Sequence, residues 1–209
     1  MKLQLALDDL ALPEALALAE RVRPYVDIIE IGTPMLYEYG MEAVRRAKAR
    51  FPEKEVLADM KIIDAGAYEA GEALRAGADY VTVLALGDRL TIRACVEEAE
   101  KYGKQIVADM ICVPDLTDRV AALEALGVHG LAVHTGTDQQ AAGRTPLDDL
   151  KQMAACAAKA KISVAGGIRA DTVADYAALG PDVLIVGSGI CHAADPVAAA
   201  RAIKEKMRG

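Results

Sequence analysis

The sequence has no tryptophan and a single phenylalanine, and aromatic residues fill only 4% of its 209 positions. Single-stranded nucleic-acid binders stack bases on such side chains, so that platform is missing. Positive charge is also scarce: 24 Lys and Arg stand against 31 Asp and Glu, a net charge of −7. This balance removes the basic footprint of nucleic-acid binding and the basic face of a membrane-surface helix. No apolar run is long enough to cross a bilayer. Cysteine occurs only as Cys95, Cys112, Cys156 and Cys191, with no C-x-x-C pair. Such scattered thiols read as reduced core residues of a cytoplasmic protein. The opening MKLQLALDD turns acidic at Asp8, too early for the apolar core of a secretion signal. No G-x-G-x-x-G fingerprint follows the first strand-like run, which counts against a dinucleotide fold.

What the chain has instead is a repeated alternation. Short runs rich in Val, Ile and Leu are followed by Ala-rich stretches with helical spacing. The strand-like runs are Leu3–Leu7, Asp27–Ile31, Val56–Met60, Tyr80–Leu84, Ile106–Met110, Gly130–Val133, Ser163–Ala165 and Val183–Val186. Leu12-Pro13, Thr33-Pro34, Val113-Pro114, Thr145-Pro146 and Asp195-Pro196 mark helix starts, with proline in the first turn. Gly77, Gly103, Gly127 and Gly180 follow helical stretches, where a left-handed glycine ends a helix. No linker or low-complexity segment interrupts the pattern, so residues 1–209 read as one domain. Eight strand-helix units predict an α/β fold, a single (β/α)8 TIM barrel, shorter than usual for that architecture. A doubly wound open sheet is the alternative.

In such a barrel the active site lies at the C-terminal ends of the strands. Asp8, Glu30, Asp59, Lys61, Asp109 and His134 all fall at or just beyond those ends. Strand four, ending at Leu84, offers nothing charged, and the strand beginnings show no comparable polar ring. Asp59 and Lys61 are two apart, which on a strand places them on one face with Cα atoms about 6.6 Å apart. Asp64 lies past the strand, free to turn back to Lys61 or toward a neighbouring subunit. Four carboxylates against one ammonium leave excess negative charge, which a divalent cation would neutralise. Oxygen donors suit Mg²⁺ or Mn²⁺, with Glu30 and Asp59 the best pair. The bland reading of any one of these acids is a helix cap or a rim ion pair with arginine.

Two glycine turns form a second group. VAGGIRADT places Gly166 and Gly167 after strand seven, and IVGSGI places Gly187 and Gly189 after strand eight. Small residues at these two strands let backbone N–H groups approach a phosphate. Of the three histidines, His129 and His192 read as incidental, and His134 as an acid–base group on the rim.

LALDDL, IIEIGTP, ADMKIIDAG, HTGTDQQAAG, VAGGI and IVGSGI, taken in order along the whole chain, resemble the 3-hexulose-6-phosphate synthases. That group belongs to the orotidine-monophosphate-decarboxylase superfamily, whose mark on strand three is Asp-x-Lys-x-x-Asp, here Asp59, Lys61 and Asp64. The resemblance implies a cytoplasmic, Mg²⁺-dependent aldolase. It would join formaldehyde reversibly to D-ribulose 5-phosphate and give D-arabino-3-hexulose 6-phosphate. It also implies metal ligation by Glu30 and Asp59, enediolate stabilisation by Lys61 and acid–base work by His134. Asp8 and Asp109 would contact the sugar, while Gly166, Gly167, Gly187 and Ser188 would cradle the phosphate. Asp64 would reach into the partner's site across a homodimer with shared active sites.

The same scaffold carries 3-keto-L-gulonate-6-phosphate decarboxylase, the alternative activity. The resemblance leads one to expect Glu at position 109 and Arg at position 137 in that enzyme; the chain has Asp109 and Thr137. Ile62 and Ile63 point the other way, standing where the synthases are expected to have Thr and Met. A non-catalytic sugar-phosphate sensor would keep the glycine turns but has no need for Asp59, Lys61 and His134 together.

Overall fold

The computed structural model describes residues 1–207. Eight parallel strands close into one barrel in sequential order. They are β1 (Lys2–Leu7), β2 (Ile28–Ile31), β3 (Glu55–Ile62), β4 (Tyr80–Leu84), β5 (Gln105–Asp109), β6 (Gly130–His134), β7 (Lys161–Ala165) and β8 (Val183–Val186). The ring closes where β1 pairs with β8, Leu5 opposite Val186. The helices are α1 (Leu12–Val22), α2 (Thr33–Tyr39), α3 (Met41–Arg50), α4 (Gly66–Arg75), α5 (Arg89–Lys101), α6 (Leu116–Ala125), α7 (Thr137–Ala141), α8 (Leu147–Cys156), α9 (Val173–Ala177), α10 (Ser188–Cys191) and α11 (Pro196–Lys206).

Strand periodicity explains how the barrel is filled. Side chains alternate between faces, so each strand sends every second residue outward to the helices and the others inward. Leu3, Leu5, Leu7, Ile29, Ile31, Val81, Val83, Leu131 and Val133 belong to the large outer core between sheet and helices. The inner face carries a separate small cluster of Ile28, Leu57, Val107 and Ala132, backed by Tyr80 and Val183. Ala6, Thr82, Ser163 and Ala165 are among the other inward-facing residues and fill little space, and a cavity of about 970 Å³ opens along them.

Most of the expected element starts hold. Asp195 accepts hydrogen bonds from the Val197 and Ala198 amides and caps α11, with Pro196 in its first turn. Gly77, Gly103, Gly127 and Gly180 all have positive φ, as helix-ending glycines should. Two proline starts shift. α6 begins at Leu116, because Asp115 rather than Pro114 supplies the cap by accepting from the Asp118 amide. α8 begins at Leu147, one residue after Pro146.

β3 departs more. It runs to Ile62, beyond the expected Met60, through a break in register: Ala58 faces Val81 but Ile62 faces Val83. Four residue steps on β3 thus match two on β4, a bulge that holds Lys61 at φ +47°.

The strand beginnings are not bare of charge, contrary to the sequence expectation. Lys2 pairs with Glu55, Lys48 and Lys104 with Asp79, and Lys204 with Asp27. His129 also sits here, its Nδ1 accepting the Ile106 amide, and so has a structural task. Among the described residues no helix is long and apolar enough to cross a membrane.

Candidate active site

The inward parity that leaves the cavity open also fills its C-terminal rim with polar groups. Asp8, Glu30, Asp59, Lys61, Asp109 and His134 all line it. Asp8 owes its place partly to Gly32: a Cβ there would lie 2.0 Å from Asp8 Oδ1, so only glycine lets the carboxylate sit over the end of β2.

The Lys61 ammonium stands between two carboxylates. It forms an ion pair with Asp59 and lies 3.5 Å from Asp109 Oδ2. Burial alone would lower its pKa, but the charges of Asp59 and Asp109 outweigh it and hold the group above the ordinary lysine value. A left-handed backbone costs a lysine about 1–2 kcal/mol, and that strain falls at the centre of the site. Thr33 Oγ accepts from Lys61 Nζ at 3.1 Å and bonds Asp59 Oδ2 at 2.9 Å. Thr82 Oγ bonds the other oxygen, Asp59 Oδ1, at 2.7 Å.

Asp109 ties the lysine to the histidine. His134 Nδ1 lies 2.9 and 3.1 Å from the two Asp109 oxygens. A carboxylate can only accept, so Nδ1 carries a proton, and in the neutral ring Nε2 is then the nitrogen with the lone pair. Burial would raise the Asp109 pKa, but the hydrogen bond and charge of His134, then Lys61, hold it below the ordinary value. The Ile111 amide adds a further bond at 2.9 Å.

On the other side of Lys61 the charge balance reverses. Glu30 is 7% exposed, and its one hydrogen-bond donor is Gln4 Nε2 at 2.6 Å. Burial, then Asp59, then Asp8 push its pKa well above the ordinary 4.5. Asp8 is shifted the same way, by burial and then by Asp59. Glu30, Asp59 and Asp8 therefore gather more negative charge than Lys61 offsets. The donors are all oxygen, which fits a hard dication such as Mg²⁺. Among the described residues no three His, Cys, Asp or Glu side chains are grouped closely enough to enclose a metal alone. Two carboxylates completed by water or substrate suit Mg²⁺, which keeps part of its hydration shell.

Gly166, Gly167, Gly187 and Ser188 line the cavity beside this group. Gly166 and Gly167 have φ of +132° and +67°, and a Cβ on Gly166 would meet the Thr135 carbonyl at 2.9 Å. The turn after β7 thus requires glycine, and the cavity-lining Gln140 lies against Gly167, its Oε1 3.0 Å from where a Cβ would stand. Asp64 is not part of this arrangement. It is exposed, lies outside the cavity lining, and accepts the Ala65 amide at 2.7 Å.

Four participants escaped the sequence reading. Thr33 reads in the sequence as a helix opener, and Thr82 lies on the strand that brings no charge to the rim. Gln4 was buried in an apolar run. His192 looked incidental, yet it lines the cavity mouth with its Nε2 2.8 Å from an Asp9 oxygen. Period-two counting back from Asp8 and from Leu84 marks Gln4 and Thr82 as inward-facing, a signal present but unused.

Comparison with known proteins agrees with the barrel fold. The model of the orotidine 5'-phosphate decarboxylase / HUMPS family matches residues 1–203. A 3-hexulose-6-phosphate synthase of Staphylococcus aureus (strain USA300) is 46% identical over 209 residues, the full length of both chains. The crystal structure of 3-hexulose-6-phosphate synthase from Salmonella typhimurium superposes with a TM-score of 0.98 at 57% identity, covering 100% of this chain and 99% of that one. The crystal structure of 3-keto-L-gulonate-6-phosphate decarboxylase from Vibrio cholerae superposes with a TM-score of 0.87 at 30% identity, covering 99% of this chain and 97% of that one.

Proposed function

The chain belongs to the orotidine 5'-phosphate decarboxylase / HUMPS family and is a lyase-type enzyme with 3-hexulose-6-phosphate synthases among its relatives, and on that premise we propose an Mg²⁺-dependent aldol reaction of D-ribulose 5-phosphate with formaldehyde. The observation that carries the reading is the Asp59–Lys61–Asp109–His134 chain, which sets a fixed ammonium and an imidazole oriented through its Nδ1 on one cavity.

The sugar phosphate binds with its phosphate on the backbone of Gly166, Gly167, Gly187 and Ser188. This remote grip keeps the C1–C2 end in register with the charged rim. His134 Nε2 removes a proton from C1, and the electron pair moves into the C2 carbonyl to give a 1,2-enediolate. Lys61 stays protonated, as its raised pKa favours, and holds the new oxyanion. Asp109 fixes the imidazole orientation and stabilises the imidazolium that forms. C1 then attacks the carbon of formaldehyde, the C2 carbonyl re-forms as C1 becomes part of the new bond, and the formaldehyde oxygen takes the proton from the His134 imidazolium to become the new hydroxyl. The product is D-arabino-3-hexulose 6-phosphate, and the steps run equally in reverse. Bound Mg²⁺, held by Glu30 and Asp59, would add positive charge beside the sugar oxygens. Asp8 is placed to contact the sugar.

Asp64 takes its role between subunits. Tyr37 is 88% exposed and Tyr68 69%, and with Ile63, Leu86 and Leu90 they lie on loops and helices that follow the adjacent strands β2, β3 and β4. Exposed apolar side chains on these neighbouring elements, together with an acid that its own cavity does not use, support a homodimer in which Asp64 serves the partner's site. The alternative activity, decarboxylation of 3-keto-L-gulonate 6-phosphate, uses the same enediolate chemistry.

Paired assays test the proposal. Formaldehyde should disappear only when ribulose 5-phosphate and Mg²⁺ are both present, at a kcat/KM at least about 100-fold above that for decarboxylation. Formaldehyde loss without the sugar phosphate, or a preference for the keto-gulonate ester, would overturn it.

A further inference from the structure

β4 brings no charge to the rim, yet its Thr82 is 5% exposed and uses its hydroxyl in two directions. It donates to Asp59 Oδ1 at 2.7 Å and accepts the Lys61 backbone N–H at 2.9 Å. The second bond answers a problem set by the bulge. Where four steps of β3 match two of β4, the regular ladder does not supply a partner for every β3 amide. The Lys61 amide, in a left-handed residue at the centre of the bulge, finds its partner in a side chain instead.

The bulge has a consequence for chemistry. In a regular strand Asp59 and Lys61 would project side by side, about 6.6 Å apart at Cα. Here the lysine turns back so that its ammonium pairs with Asp59 and also lies 3.5 Å from Asp109. One hydroxyl therefore holds both the strained backbone of the lysine and the carboxylate that the lysine faces. Packing alone does not call for it, since valine fills nearly the same volume without the oxygen.

We propose that Thr82 is a positioning residue that locks the β3 bulge and sets the Lys61–Asp59 geometry on which the reaction depends. The kinetic part of this inference rests on the function proposed above; the clamp itself does not.

The test compares Thr82→Val with Thr82→Ser in two readouts. By amide hydrogen exchange, Thr82→Val should lose protection at Lys61 by about 100-fold while Val81 and Val107 keep theirs. In steady state with ribulose 5-phosphate, formaldehyde and Mg²⁺, its kcat should fall about 100-fold. KM for the sugar phosphate should stay within about threefold, because the phosphate grip lies on β7 and β8. Thr82→Ser keeps the hydroxyl and should recover kcat to within about fivefold of wild type. If Thr82→Val does not fold, Thr82→Ala carries the same two measurements. Unchanged protection at Lys61 in the hydroxyl-free variant overturns the clamp. A kcat within about threefold of wild type in that variant, or a serine variant as impaired as valine, overturns the positioning role. A wild-type chain without synthase activity would sink the functional reading, and amide exchange would still decide the clamp.

Discussion

At the N-terminal mouth of the barrel, Asp79 accepts from Lys48 at 2.8 Å, Lys104 at 2.5 Å and the Val56 amide at 2.9 Å. At the C-terminal mouth, Glu30 accepts from one neutral amide and faces two further carboxylates. The pKa shifts follow the partners. Burial works against ionised Asp79, but its two lysines and the amide override it and pull the pKa below the ordinary 3.8. Burial also works against ionised Glu30, and there Asp59 and Asp8 add to it. One mouth balances its charge and gains stability. The other leaves negative charge unbalanced, which costs stability in the chain alone and gives a cation and a polar substrate something to bind.

The largest expected break in this contrast comes from the lysine. Lys61→Ala should lower kcat by about 1,000-fold or more, because the developing oxyanion loses its fixed positive charge. Circular dichroism should still show a folded barrel, since the outer core does not involve residue 61. Turnover within about tenfold of wild type would move the stabilising charge elsewhere.

Asp79→Asn should do the reverse, with a small effect on stability and none on chemistry. The folded pKa of Asp79 is depressed, so its stabilisation is complete above pH 3.8 and fades as pH falls through the lower folded value. The variant should melt on the order of 4 °C below wild type near pH 7, with the gap closing below pH 3.8 and kcat unchanged. A gap that widens in acid would contradict the sign.

This contrast also explains what could be read from the sequence. Eight Val-, Ile- and Leu-rich runs gave away the eight strands, and the acids and lysine at their C-terminal ends stood out because each interrupts or follows an apolar stretch. The ring at the other mouth was missed for the opposite reason. Lys2, Asp27, Glu55, Asp79 and Lys104 precede the strand interiors, where charge looks like ordinary solvated loop. Their pairing joins residues distant in sequence, Lys2 with Glu55 and Asp27 with Lys204. The β3 bulge was illegible because no glycine announces it: Lys61 adopts positive φ under tertiary constraint, against its own preference. Thr82 does not stand out because charge marks the other strand ends, while here the site requires a hydroxyl.

The most direct test of the central claim, that the charge excess at the C-terminal mouth is functional rather than structural, is the melting temperature and kcat of Glu30→Gln. Melting should be measured with EDTA near pH 7 and turnover with Mg²⁺. The account predicts a rise in melting temperature of about 2–4 °C together with a loss of kcat of about 100-fold or more, because glutamine is spared the cost of ionising or protonating a carboxyl buried beside Asp59 and Asp8, and the site loses its capacity to hold a dication. A melting temperature that falls as it does for Asp79→Asn would contradict it.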